Sequence, residues 1–317
     1  MPARRKTPPP KKRKRLVHFE FKTHGRGDRA SRIPRGTKLF VAEDADGTTE
    51  REISLPRLKE YLKESNDRPH LRSLTEELIR AKKRGTKVVM GEKGTEVDVV
   101  ALGIVNQTIA MLETTLVNHP AVENIKELLT TEARRNEIRH RLIQKTIQEA
   151  VKKGETPIAS RYGTAHSLLS SELKKEGIYT TRKISPQLFS YQIEIIRKIQ
   201  RGTNPSTIPD IEYKRAGTEM FIYNQLAKSI FGKGIKLNDS KSRFLEIALR
   251  ELIRRLDEPT LDQILREKGK RMLPMVLQKN GITHPTKEAV EAFLKKHSVF
   301  YRRQMEIERM RRKRNPR

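Results

Sequence analysis

The run Pro209-Asp210-Ile211-Glu212-Tyr213-Lys214 holds the residue types of a metal-dependent nuclease: a carboxylate after proline, then Glu-x-Lys. Two such carboxylates could hold a divalent cation that activates water on a phosphodiester. The spacing argues against it. Nucleases of that kind place the Asp and the Glu-x-Lys on separate strands, whereas Asp210, Glu212 and Lys214 are compressed into one connector. The eight histidines are scattered, with no His-Glu-x-x-His and no close His/Asp cluster, so no metal site is expected. The chain has no cysteine, which excludes disulfides, thiolate zinc sites, iron–sulfur clusters and Cys nucleophiles. Gly91-Glu92-Lys93-Gly94 reads as a hairpin turn and not a phosphate loop, and Arg26-Gly27-Asp28 as a loop. A non-enzymatic protein without cofactor follows.

Charge points elsewhere. The 317 residues carry 68 Lys and Arg against 39 Asp and Glu, a net charge of +29. Residues 1–15 hold eight basic side chains and no acid, including Lys11, Lys12, Arg13, Lys14 and Arg15. Residues 302–317 add a second basic stretch, with Arg311, Arg312, Lys313 and Arg314. A polyanion is the natural partner, because each neutralised phosphate releases condensed counterions. Neither tail has the apolar face of a membrane-surface helix, and no uninterrupted apolar run reaches a membrane span, so no membrane partner is expected. An intracellular place follows, nucleoid or cytoplasmic. The tract at 11–15 serves as an electrostatic arm, or as an import signal if a nucleus exists.

Between these ends, Ile158–Ile178 has the spacing of a helix-turn-helix. Ala159 stands where the first two helices touch, Gly163 four residues later at the turn, and Leu169 and Leu173 under the second helix. Thr164, His166, Ser167, Ser170 and Ser171 would then face a DNA groove, and Arg161, Lys174, Lys175, Arg182 and Lys183 the phosphates. Ile178-Tyr179-Thr180-Thr181-Arg182-Lys183-Ile184 has the β-branched, basic character of a wing strand. Over residues 138–184 this resembles the winged-helix group. The resemblance implies major-groove docking, duplex DNA as the preferred partner, and a homodimer.

The elements that must position these residues suggest a mainly α, multi-domain helical protein. It has a small N-terminal α+β part and a helix-turn-helix/winged-helix-like centre. The expected division is a disordered basic tail (1–15), an α+β domain (16–100) and a helical domain (101–201) with the helix-turn-helix near 155–184. A linker (202–217), a C-terminal helical domain (218–301) and a basic tail (302–317) complete it. In 16–100, Val17–Phe21 and Lys38–Val41 alternate as strands, Thr49–Ile53 returns as a hairpin partner, and 87–100 forms a second hairpin. Helices are expected over 56–64, 71–84, 104–117, 121–132 and 136–153, then from Pro186 to Arg201. An apolar stripe from Phe244 to Leu256 marks another.

The expected function is DNA binding without catalysis, as in a regulator, a nucleoid organiser, or a replication or partition factor of a mobile element. The alternatives are an RNA- or ribosome-associated protein, for which basic tails and a 5% aromatic content are equally natural although the sparse aromatics argue against a base-stacking sheet, and a virion or scaffold protein that condenses nucleic acid.

Overall fold

Short apolar runs become the strands. Val17–Lys22 (β1), Leu39–Ala42 (β2), Lys87–Met90 (β3), Ile158–Gly163 (β4) and Thr180–Ile184 (β5) form one sheet in the order β3-β2-β4-β1-β5. Every pairing is parallel. The computed structural model describes residues 17–22, 33–43, 52–64, 69–163, 166–184, 190–231 and 249–268, with a few isolated positions beyond.

A parallel sheet is covered on both faces, so its central strands are buried nearly throughout. Alternate residues of one strand serve opposite cores. Leu39, Val41, Val89, Ile158 and Tyr162 pack with Ile143, Ile147, Ala150, Leu169 and Leu173. Phe40, Ala42, Val88 and Ala159 pack with Leu58, Leu78 and Ala81. The helices Leu55–Glu64 (α1) and Pro69–Lys83 (α2), between β2 and β3, therefore cover one face. Glu96–Asn118 (α3) and Val122–Lys152 (α4) join β3 to β4, and Leu169–Lys175 (α5) joins β4 to β5. The ends of α4 and α5 cover the other face. This division follows from handedness. The chain moves one way along the sheet from β2 to β3 and the other way from β3 to β4 and β5, so right-handed crossovers fall on opposite sides.

The 31 residues of α4 span about 46 Å and enter two cores. Its C-terminal half lies on the sheet. Its N-terminal half packs with α3 and with Tyr191–Gln200 (α6), Asp210–Phe231 (α7), helical residues 249–254 and Glu258–Arg266 (α8). Thr95 caps α3 with Asp98 in a reciprocal capping box, and Ser190 and Asp257 cap α6 and α8.

The protein is thus mostly helical with a small parallel sheet towards its N-terminus. Ile158–Gly163, expected as the first helix of the helix-turn-helix, is the central strand β4. The expected wing strand does form, as β5, but it pairs parallel with β1, where a wing would pair antiparallel with its own neighbour. The second expected hairpin is also replaced. Only its first arm is a strand, and from Glu96 the chain is helical. The expected helices 121–132 and 136–153 are one, because Ala133 and Asn136 lie buried inside α4 and the polar step between them does not interrupt it. Since β1 lies between β4 and β5, the boundary expected at residue 100 falls between strands of a single sheet. The basic tails apart from Arg302 and Glu306, the 49–51 part of the hairpin partner and the stripe from Phe244 to Ala248 lie outside the described residues.

Among the described residues one helix, α3, is long and apolar enough to cross a membrane by length and composition. Counting uninterrupted apolar residues misses it, because Asn106, Gln107 and Thr108 break the run.

Candidate functional site

The first residues of all five strands share one register row: Val17 pairs with Ile158 and Thr180, Ile158 with Leu39, and Leu39 with Lys87. At about 4.8 Å per strand this amino edge is about 19 Å wide. Each helix that returns to it ends in the same way. The returns read Lys82-Lys83-Arg84-Gly85, Lys152-Lys153-Gly154 and Lys174-Lys175-Glu176-Gly177. The three glycines have φ of 87°, 70° and 82°. Left-handed glycine releases a helix into the following strand, and lysine in the last turn complements the negative end of the helix dipole. Each return is ordinary capping by itself. The parallel topology is what brings them together, because each helix that leads directly into a strand brings its C-terminus to the same edge.

Arg35-Gly36-Thr37-Lys38 precedes β2, and the basic tract 11–15 precedes β1, so every strand is entered from a basic segment. Arg35, Lys38, Lys83, Arg84, Lys152, Lys153, Lys174 and Lys175 are exposed. Local acids engage part of the charge: Glu52 meets Lys82, Glu77 meets Arg80 and Arg84, and Glu155 meets Lys87. Tyr179, just before β5, is the exposed aromatic there.

The carboxyl edge is the opposite in kind. β2 and β4 are neighbours whose outgoing connections leave on opposite faces, the topological position where open α/β sheets bind ligands. Here the crevice is filled by protein. Arg139 of α4 donates from Nε and Nη2 to the two carboxylate oxygens of Glu92, at 2.8 and 2.7 Å. Its Nη2 also donates to Glu43 at 3.1 Å, and Glu43 accepts from the Gly163 amide at 3.1 Å. Burial works against the Arg139 charge, but the hydrogen bonds and charges of Glu92 and Glu43 outweigh it and raise its pKa.

A chain of side chains continues inward from Glu43. His166 Nε2 lies 3.5 Å from Glu43, and His166 Nδ1 lies 3.0 Å from His140 Nε2. His140 Nδ1 lies 3.5 Å from Glu172, which accepts from Gln144 at 2.9 Å. With His166 Nε2 donating to Glu43, its Nδ1 accepts from His140, an assignment that hydrogen-bond accounting supplies. Burial above all holds the His166 pKa down to about 3, so its ring is neutral near pH 7. Glu172 and His140 line a cleft of about 590 Å³ together with Arg134, Arg141 and Gln200. Tyr162 is fully buried beneath this cluster, and burial raises its pKa. Gly91 must stay small, because a Cβ there would come within 2.1 Å of the Tyr162 hydroxyl.

The residues expected to read DNA separate accordingly. His166, Ser167 and Ser170 are buried instead of facing outward, because the segment follows a central strand and packs under α5. The Ser170 hydroxyl bonds Thr180 at 2.9 Å. Arg161 lies in β4 and clamps Glu20 of β1 from Nε and Nη2, at 2.9 and 2.7 Å. Ser171 is exposed, its hydroxyl donating to the Leu168 carbonyl. Lys174 and Lys175 are exposed on the amino edge. Arg182 and Lys183 sit in β5. Thr164 and the tail residues Lys11, Lys12, Arg13, Lys14, Arg15, Arg311, Arg312, Lys313 and Arg314 lie outside the described residues. Asp210, Glu212 and Lys214 occupy the start of α7 and do not converge: Asp210 meets Lys126, Glu212 meets Lys198, and Lys214 meets Glu258 and Asp262. Among the described residues no group of three or more His, Asp or Glu could hold a metal ion.

The sequence reading missed two things. The Lys-Lys-(x)-Gly returns were visible as three similar runs, but only the fold aligns them. The Arg139–Glu92–Glu43–His166 cluster joins residues up to 123 positions apart and had no local signal.

The fold and its two edges define a mostly helical protein built on a parallel α/β sheet. No protein family matches the chain, and no curated protein or solved structure matches it either.

Proposed function

We propose that the chain binds nucleic acid, duplex DNA by preference, against the amino edge of the sheet, and acts by binding without catalysis. The observation that carries this reading is the alignment of basic strand entries on one exposed edge in a chain of net charge +29. Clustered lysines of one sign raise the local potential and steer a polyanion on approach. In sequence the basic tract Lys11–Arg15 precedes β1, whose first residue lies on this edge. The roles of regulator, nucleoid organiser, or replication or partition factor all rest on this one property.

Major-groove reading by His166, Ser167 and Ser170 has no part in the proposal, because those side chains are interior. Phosphate contacts position a protein but carry no sequence information, so the edge supports weak sequence preference.

The test is a salt series with duplex DNA on the full chain and on a variant with Lys83, Lys152, Lys153, Lys174 and Lys175 changed to Gln. Removing one lysine–phosphate pair lowers the slope of log K against log salt by roughly 0.9. A slope reduced by three units or more supports the reading. An unchanged slope and affinity refute it. A preference for RNA over duplex DNA moves the protein to the RNA-associated class.

A further inference from the structure

The outer face of α3 is a second surface with a different chemistry. Leu102, Val105, Ile109, Leu112 and Leu116 face α4 and the helical core. On the opposite side Val97, Val100, Ile104, Met111 and Val117 are each more than half exposed. Val97, Val100, Ile104, Gln107 and Met111 follow one another at intervals of three and four residues. That alternation makes a straight seam along a helix and is the pattern one helix offers another. Between Val100 and Asn118 the helix carries a single charge, Glu113, in a chain that is 34% charged.

Gly103 supplies an independent sign. It stands mid-helix, where glycine costs about 1 kcal/mol relative to alanine. Inside the protomer that cost has no return, because a Cβ at Gly103 would meet nothing within 4 Å. A missing side chain on an open helix surface suits close approach from outside. Ala110, which is exposed, lies two turns further along from the half-buried Gly103.

We infer that this face is the contact between two copies of the chain, α3 against α3 across a two-fold axis. An isologous pairing sets the seam against itself. Removing both stripes from water buries on the order of 1,000 Å², the lower bound for a specific interface. An uncharged face also lets two strongly basic chains meet without bringing like charges together. The competing occupant is a bilayer. It is disfavoured because the buried half of α3 is built into the helical core with α4, so α3 cannot leave the body to span. The pairing is independent of the nucleic-acid reading.

The experiment measures the mass of full-length protein in solution, free of nucleic acid, at protein concentrations on the order of micromolar and above. The unaltered chain is expected at twice its 36.8 kDa mass. Gly103→Leu fills only open space in the protomer. It should therefore leave thermal stability equal or higher while returning the mass to one chain. Ile104→Lys should do the same, with the helical circular dichroism unchanged. A wild-type chain that stays monomeric overturns the inference, as does a dimer that survives both substitutions. Wild-type protein that floats with neutral phosphatidylcholine vesicles, and loses this with Ile104→Lys, assigns the face to a membrane instead.

Discussion

The two edges of the sheet show how one topology produces opposite electrostatic environments. At the amino edge like charges stand exposed, screened by water and salt, and cost little to keep apart. At the carboxyl edge opposite charges are buried: Arg139 and Glu92 are 5% and 0% exposed. There they must be paired and hydrogen-bonded, because an unpartnered buried charge is strongly destabilising. Altering the carboxyl edge should therefore change stability, and altering the amino edge should change what the protein binds.

The largest separation of the two should come from Arg139→Met. It takes the guanidinium away from the fully buried Glu92 carboxylate, and an expected loss of about 3–5 kcal/mol follows from breaking a buried pair. Urea unfolding reads this directly. DNA affinity per folded molecule should stay unchanged. A drop in affinity without a drop in stability would reverse the assignment of the two edges.

Gly91→Ala should cost less, about 1–3 kcal/mol, the usual range for overpacking a filled core. The new methyl group has to displace the Tyr162 hydroxyl, and the side chain of Val41 lies at 2.8 Å on its other side. Thermal unfolding should show the loss, and Gly91→Ala combined with Tyr162→Phe should recover part of it.

The pH dependence of stability sharpens the comparison next. His166 has a folded pKa of about 3 against an ordinary value of 6.5, with burial as the main cause. Above pH 6.5 the ring is neutral folded and unfolded, and stability is complete. As pH falls from 6.5 towards 3 the unfolded chain takes up a proton that the folded chain refuses. Stability should then decline by about 1.4 kcal/mol per pH unit from this group. His166→Gln should flatten that part of the profile when urea midpoints are compared at pH 7, 6, 5 and 4. A variant as steep as the wild type would show that other groups set the slope.

The smallest effect belongs to single lysines of the amino edge. Lys153→Gln should change stability by less than about 1 kcal/mol, the scale of a helix-dipole contact. It should lower the salt slope of DNA binding by roughly 0.9.

Much of the fold was legible where local physics decides it. Val17–Phe21 and Lys38–Val41 show their strand character in β-branched and aromatic residues, whereas the helix starts at Thr95-x-x-Asp98 and Ser190 differ from the expected hairpin over 87–100 and the expected start at Pro186. Pairing was not legible. A strand carries no sign of whether its neighbour runs parallel, and Glu20 opposite Arg161 is separated by 141 positions. The segment Ile158–Gly163 was misread because Ala159 and Gly163 stand four apart, a helical interval. Its other signal, burial on both faces at Ile158, Ala159, Ser160 and Tyr162, emerges only once helices cover both sides of the sheet. The exposed apolar face of α3 was half legible. Its helical period was plain, but which side met the core depended on α4.

The most direct measurement of the central claim is lysine footprinting by acetylation and mass spectrometry, with and without duplex DNA, on the intact chain. Protection should concentrate at Lys83, Lys152, Lys153, Lys174 and Lys175, while Lys59 on α1 and Lys126 on α4 stay as reactive as in the free protein. Equal protection of all lysines, or protection confined to the two tails, would contradict a binding surface built by the amino edge of the sheet.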